Sequence, residues 1–141
     1  MPVNKDLRHL TLINKANYAI VKLDRDRANP INARMISEIR LLFRKIEADP
    51  KIKGVVLVGQ EGYFSAGLDL IEMYNLNEAG IKTFWKNFMG MVSDLVSFRK
   101  PLIAAITGHS PAGGCVLAIC CDYRVMAVSY THLTLPTTGI V

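Results

Sequence analysis

One stretch constrains this chain more than any other: a proline-led apolar run, a bend of small residues, and a helix-length segment without polar side chains. Residues 101–122 read PLIAAITGHSPAGGCVLAICCD. The run 102–106 fits a buried strand. Gly108-His109-Ser110-Pro111 makes a turn, and Ala112-Gly113-Gly114-Cys115 keeps the side chains small. Residues 116–121 are apolar on every face, so a helix here is expected to be buried all round. Pro111 suits the first helical position, where a missing N–H costs nothing. Such a helix start aims unpaired N–H groups and partial positive charge at whatever lies before it. Glycine at that point lets a ligand come close to the backbone.

An earlier stretch has the same layout. Gly54-Val55-Val56-Leu57-Val58 reads as a central strand and Gly59-Gln60-Glu61-Gly62-Tyr63 as a turn; Phe64-Ser65-Ala66-Gly67-Leu68-Asp69-Leu70 leads into a second helix start. Either junction alone is more often a plain tight βα turn, since such turns are common in α/β folds. Two of them together can bring two N–H groups onto one acceptor, which is the geometry of an oxyanion hole.

FSAGLDL followed by PAGGCVLAICCDYRVMA resembles the crotonase (enoyl-CoA hydratase/isomerase) family, and within it the mitochondrial-type Δ3,Δ2-enoyl-CoA isomerase branch. The likeness runs from about Leu10 to Ala127, with both motifs in the family's order. It implies an α/β fold, a crotonase-like spiral of ββα units, here truncated. The expected division is residues 1–127 as the N-terminal part of that domain and 128–141 as a non-family tail. That tail is Thr-rich, lacks the family's pattern and reads as translated adaptor or cloning sequence.

Taken in order, residues 10–13 and 18–23 read as strands joined by a hairpin at Lys15-Ala16-Asn17. Residues 24–31 are polar and end at a proline-containing loop. Asn32 can cap the next helix, in which Met35, Ile36, Ile39, Leu42, Phe43 and Ile46 recur at helical spacing; Arg34, Glu38, Arg40, Arg44 and Lys45 take the wet side. After a short helix to Asn75, a longer one spans about 78–98. Its Trp85 and methionines either line an acyl-chain tunnel or pack in the core, and aromatics at helical spacing favour the core. Gly90 inside it, at a cost of up to about 1 kcal/mol against alanine, suggests a close helix contact. Arg99 and Lys100 place cations at that helix's negative end. Residues 122–127 form the next strand.

Composition excludes little but excludes it clearly. At 141 residues and half hydrophobic, the chain has room for one real core. A formal charge of +5 suits a phosphate-bearing ligand but equally a plain basic surface. No Lys/Arg cluster alternates with aromatics, so nucleic-acid binding has no specific support. Cys115, Cys120 and Cys121 have no CxxC pair or neighbouring histidine and read as small core residues of a reducing compartment. His9 and His132 are isolated, so no metal site is expected. The N-terminus shows no signal or transit peptide and no run spans a membrane, which makes a cytoplasmic location the default and a mitochondrial one the alternative if a presequence is missing.

The resemblance supplies the chemistry. It implies an acyl-CoA thioester as substrate, no cofactor, and a carbonyl that accepts from the backbone N–H groups of Leu68 and Gly113. The CoA would lie near Ala66, Gly67 and Asp69, with the loop at Ala28 as a weaker contact. Donors of this kind are worth about 3–4 kcal/mol each. In the hydratases a glutamate follows the Gly-Gly-Cys run, whereas Val116 stands here, which favours the isomerase type. The isomerase glutamate belongs to the next ββα turn, past the end of the likeness, so the chain as given is expected to be inactive. Hydratase or other crotonase chemistry is the first alternative; a non-catalytic acyl-CoA binder or an inert remnant is the second. The parent enzyme is expected as a homotrimer or a dimer of trimers.

One rival motif is local. Gly108-His109-Ser110-Pro111-Ala112 mimics a nucleophile elbow, yet the residue after the nucleophile must donate an N–H and Pro111 has none. No G-x-G-x-x-G follows a strand, so a dinucleotide fold is disfavoured.

Overall fold

The hairpin forms as its sequence indicates: strand β1 (Leu10–Asn14) pairs antiparallel with β2 (Ala19–Leu23), Leu10 opposite Leu23. The computed structural model describes residues 5–127, and the expectation for a non-family tail at 128–141 lies outside them. Helix α1 (Ala33–Ala48) starts where Asn32 accepts from the Met35 amide, and it buries Met35, Ile36, Ile39, Leu42, Phe43 and Ile46. Glu38, expected on the wet side, is 5% exposed instead. Its carboxylate accepts the backbone amides of Arg8 and His9, so it holds the incoming N-terminal segment rather than facing water. Burial of a carboxylate is tolerable when its oxygens are hydrogen-bonded in this way.

The chain then repeats strand, strand, helix. Strand β3 (Val55–Val58), the short β4 (Gly62–Tyr63) and helices α2 (Leu70–Tyr74) and α3 (Glu78–Val96) make the second unit. Strands β5 (Leu102–Ile106) and β6 (Gly108–His109) with α4 (Gly113–Ile119) make the third, and β7 (Tyr123–Met126) opens a fourth. The long strands form one sheet in the order β1-β2-β3-β5-β7, parallel from β2 onwards, while β4 and β6 pair in a second, smaller sheet. Parallel neighbours need a crossover, and the helices provide it. This is the spiral of ββα units that the resemblance implies.

Alternation places Val21, Leu23, Val55, Leu57, Leu102 and Ala104 on the buried face of the main sheet. Helix α1 packs on α3, where Arg40 lies over Gly90 and pairs with Asp94 at 2.7 Å. A Cβ at Gly90 would sit 2.5 Å from the Arg40 guanidinium, so the close contact suspected from this glycine exists, with an ion-paired arginine as its partner. Phe84, Phe88, Met91 and Leu95 turn α3 towards the core, but Trp85, Met89 and Val96 are exposed. The expectation that Trp85 packs in the core therefore fails: it stacks edge-on between Phe84 and Phe88 at the helix surface. Lys100 does not cap α3 either. Its Nζ reaches back to the carbonyls of Ile46 and Asp49, both at 2.6 Å, and so closes the C-terminus of α1.

Helix α4 is not buried all round. Gly113, Gly114, Leu117 and Ala118 are buried while Ile119 is exposed, and the edge strand β7 leaves Tyr123 and Val125 exposed as well.

Candidate functional site

Two legs of chain travel side by side before they reach the predicted donors. Val55 pairs with Leu102 in β3–β5, and beyond the main sheet Gly62 pairs with Gly108 and Tyr63 with His109 in β4–β6. One leg then runs to Leu68 and the other to Gly113.

At Leu68 the direction of the amide follows from what its neighbours do. Ile31 and Leu68 form a parallel bridge, in which the Ile31 N–H donates to the Gly67 carbonyl at 2.8 Å and the Asp69 N–H donates to the Ile31 carbonyl at 2.8 Å. In a trans peptide the C=O and N–H point opposite ways. The Leu68 N–H shares its peptide with the Gly67 carbonyl, so it points away from Ile31. Gly67 adopts φ +100°, a conformation that only glycine reaches without strain.

At Gly113 a tight turn does the same work. The Gly114 N–H donates to the Pro111 carbonyl at 2.9 Å, and Ala112 between them has φ 49° and ψ −119°. Those angles belong to the first central position of a type II′ turn, usually glycine, and an alanine there is strained by about 1–3 kcal/mol. The Ala112 carbonyl accepts from the Val116 N–H, so the Gly113 N–H of the same peptide points out of the helix start. The structure corrects one detail here: α4 begins at Gly113 with Ala112 as its cap, and Pro111 lies outside the helix.

The two bends meet. A Cβ on Gly113 would lie 3.3 Å from the Leu68 nitrogen, and a Cβ on Gly67 would lie 3.1 Å from the Gly113 nitrogen. Among the described residues neither amide donates to a protein acceptor. Two neighbouring N–H groups without a protein acceptor among the described residues, one of them at a helix start, are the kind of arrangement in which a single oxygen can be bound.

The other predicted residues lie around this pair. Ala28 and Ala66 are joined, the Ala66 N–H donating to the Ala28 carbonyl at 2.8 Å, and Ala66 reaches the surface. Asp69 caps α2: its carboxylate accepts from the Glu72 amide at 3.0 Å and pairs with Arg25 at 2.8 Å. The Glu72 amide holds its carboxyl below the ordinary 3.8 against the opposing effect of burial, and Arg25 adds to the lowering. It is a structural carboxylate, as its place at a helix start indicated. Glu72 is likewise engaged, accepting from the Ala33 amide at 2.9 Å, and Glu61 is exposed. Ser110 is buried and, among the described residues, its Oγ has no hydrogen-bond partner that would activate it as a nucleophile. Burial pushes the Cys121 thiol up to about 12, in keeping with an inert core cysteine.

Three residues of the site escaped the reading of the sequence. Asn29 is fully buried with φ 48°, Ser65 is fully buried, and the Gln60 side chain reaches Asn29 Oδ1 at 2.9 Å. The Asn-Pro step at 29–30 was the available signal, since asparagine tolerates the left-handed region and favours turns there.

Known proteins resemble this chain in sequence and fold. The sequence profile described as enoyl-CoA hydratase/isomerase matches residues 14–140. The chain is 44% identical to mouse mitochondrial enoyl-CoA delta isomerase 1 over 113 residues, covering 79% of this chain and 39% of that protein. It is 34% identical to a putative enoyl-CoA hydratase of Thermus thermophilus, covering 81% of this chain and 47% of the relative. The crystal structure of human mitochondrial Δ3-Δ2-enoyl-CoA isomerase superposes with a TM-score of 0.80 at 32% identity, over 83% of this chain and 46% of that one. Pseudomonas aeruginosa DspI superposes with a TM-score of 0.82 at 29% identity, covering 86% of this chain and 50% of that chain. The chain thus spans less than half the length of these curated relatives.

Proposed function

The chain belongs to the enoyl-CoA hydratase/isomerase family, and from that membership we propose that it carries the acyl-CoA-binding, carbonyl-polarising part of an isomerase-type site. The observation that carries this reading is the close approach of the Leu68 and Gly113 backbones, neither amide having a protein acceptor among the described residues. A thioester oxygen placed between them accepts both N–H bonds. Charge that moves onto this oxygen as a proton leaves the α-carbon is then stabilised where it develops. Ala28, Ala66, Gly67 and Asp69 frame the CoA portion. The exposed apolar side chains Leu70, Ile71 and Tyr74 of α2, which starts just after the Leu68 bend, offer a surface for the acyl chain.

Two observations favour isomerase over hydratase chemistry. Val116 occupies the place where hydratases carry a glutamate, so one of the two hydratase carboxylates is missing. The mouse and human relatives are also named as isomerases. Isomerisation needs one carboxylate that takes a proton from the α-carbon and returns it to the γ-carbon. The carboxylates of Asp69 and Glu72 are committed to helix starts, and neither is available for that transfer. Among the described residues no carboxylate is matched to that role, so we expect this chain to bind and polarise without turning over; losing a general base costs about 10²–10⁴ in rate. The mitochondrial designation of the mammalian relatives favours the mitochondrial alternative over a cytoplasmic location.

Calorimetric titration of an enoyl-CoA into the full chain, with product analysis of the same sample, tests this. Saturable heat without double-bond migration is the expected result. Absence of heat refutes the binding site, and measurable isomerisation refutes the missing proton carrier.

A further inference from the structure

We infer that Ser65 is a positioning residue for the Leu68 amide, acting through Gly67 and anchored by Asn29. This rests on the reading of Leu68 and Gly113 as carbonyl donors and identifies what holds the first of them in place.

The Ser65 hydroxyl donates to the Asn29 carbonyl at 2.8 Å and accepts from the Gly67 N–H at 3.1 Å, and the residue is fully buried. Asn29 is itself held by its side chain. Oδ1 accepts from the Arg25 amide at 2.8 Å and from Gln60 Nε2 at 2.9 Å, while Nδ2 donates to the Phe64 carbonyl at 3.0 Å. The acceptor that Ser65 uses is therefore a fixed point of the fold.

Gly67 is the only residue between this hydroxyl and the donor. A glycine at φ +100° has the widest backbone freedom of any residue, and here both peptides beside it are tied. Ser65 Oγ fixes its N–H on one side, and the Ile31 N–H fixes its carbonyl on the other. With both ends held, the Gly67 torsions are set and the direction of the Leu68 N–H follows. Removing the hydroxyl frees one end. The thioester oxygen then loses a directed donor, while Ala28, Ala66 and Asp69, which frame the CoA portion, keep their own hydrogen bonds. The inference thus separates orientation from affinity, because the energy of a directed donor in a dry site depends on its aim.

A chromophoric thioester reads the two quantities apart. The absorption of para-hydroxycinnamoyl-CoA moves to longer wavelength when its carbonyl is polarised, and titration of that band also yields Kd. The full chain is expected to bind the probe with a red shift. Ser65→Ala is expected to lose at least half of the shift at saturation, with Kd rising no more than about tenfold, the scale of one neutral hydrogen bond. Asn29→Gly accepts the local φ of 48° but removes the side-chain anchor, so it should lose part of the same shift; it carries the test if Ser65→Ala does not fold. A full shift in the folded variant overturns the role of Ser65 and leaves the donor pair standing. An unmodified chain that fails to bind the probe, or binds it without a shift, overturns the donor pair and this inference together.

Discussion

Gly114→Ala puts the meeting of the two bends to a test in which the sign of the effect is informative. Alanine replacing glycine inside a helix normally stabilises by up to about 1 kcal/mol. Here the added Cβ would sit 2.1 Å from the Ser65 carbonyl oxygen, 2.9 Å from its carbon and 3.1 Å from Ser110 Oγ. Ordinary contact requires a retreat of more than about 1 Å. The two nearest blocking atoms are backbone, so no rotamer relieves them, and overpacking of this kind costs about 1–3 kcal/mol. The steric cost wins, leaving a net loss of about 1–2 kcal/mol and a Tm lowered by about 3–10 °C. The same retreat parts the loop of Leu68 from the helix start of Gly113, and a misplacement of about 1 Å is enough to cost on the order of 10² in a positioned reaction. Melting followed by circular dichroism, together with the para-hydroxycinnamoyl-CoA spectrum, reads both effects. A raised Tm with an unchanged red shift would refute the reasoning, because it would mean that the bends are not in the contact described.

Two further outcomes follow from the packing. The carboxyl of Asp69 titrates below its ordinary 3.8 in the folded chain, so the unfolded chain binds the proton first and the contribution to stability is complete above that value and lost as pH falls below it; denaturant midpoints measured down this limb should flatten in Asp69→Asn, and an unchanged slope would remove Asp69 from the account. Lys100→Met strips two charge-assisted bonds from the C-terminal carbonyls of α1 and should cost about 1–2 kcal/mol in chemical denaturation, whereas an unshifted midpoint would show that the ammonium contributes nothing there.

Local signals carried most of the fold. Asn32 stands where a capping residue is needed, the apolar spacing of α1 reports its buried stripe, and the β5-turn-α4 stretch reads as strand, bend and helix from residue types alone. The meeting of the two bends was legible for the same reason: glycine and small residues at both junctions let the two backbones approach closely. The errors arose where a residue's role is set by a partner distant in sequence. Glu38 looks like surface until the amides of Arg8 and His9 arrive thirty residues earlier in the chain. Lys100 follows α3 directly but reaches α1, because the turn into β5 brings it beneath the end of that helix. Trp85 shares the period of its buried neighbours and still lies at the margin of the stripe. Asn29 and Ser65 are polar residues in loops, and only the close approach of those loops reveals that both are buried.

The matched registers of β3 with β5 and of β4 with β6 act as a gauge for the donor pair. Adjacent strands stand about 4.8 Å apart, so two chain segments laid on that spacing arrive at the bends already close together. Lengthening one segment between its long and short strands, without the other, would shift one donor past its counterpart while leaving every helix intact. The exposed side chains of α2, Leu70, Ile71 and Tyr74, lie outside that gauge, so substitutions there leave the spacing of the two bends unchanged.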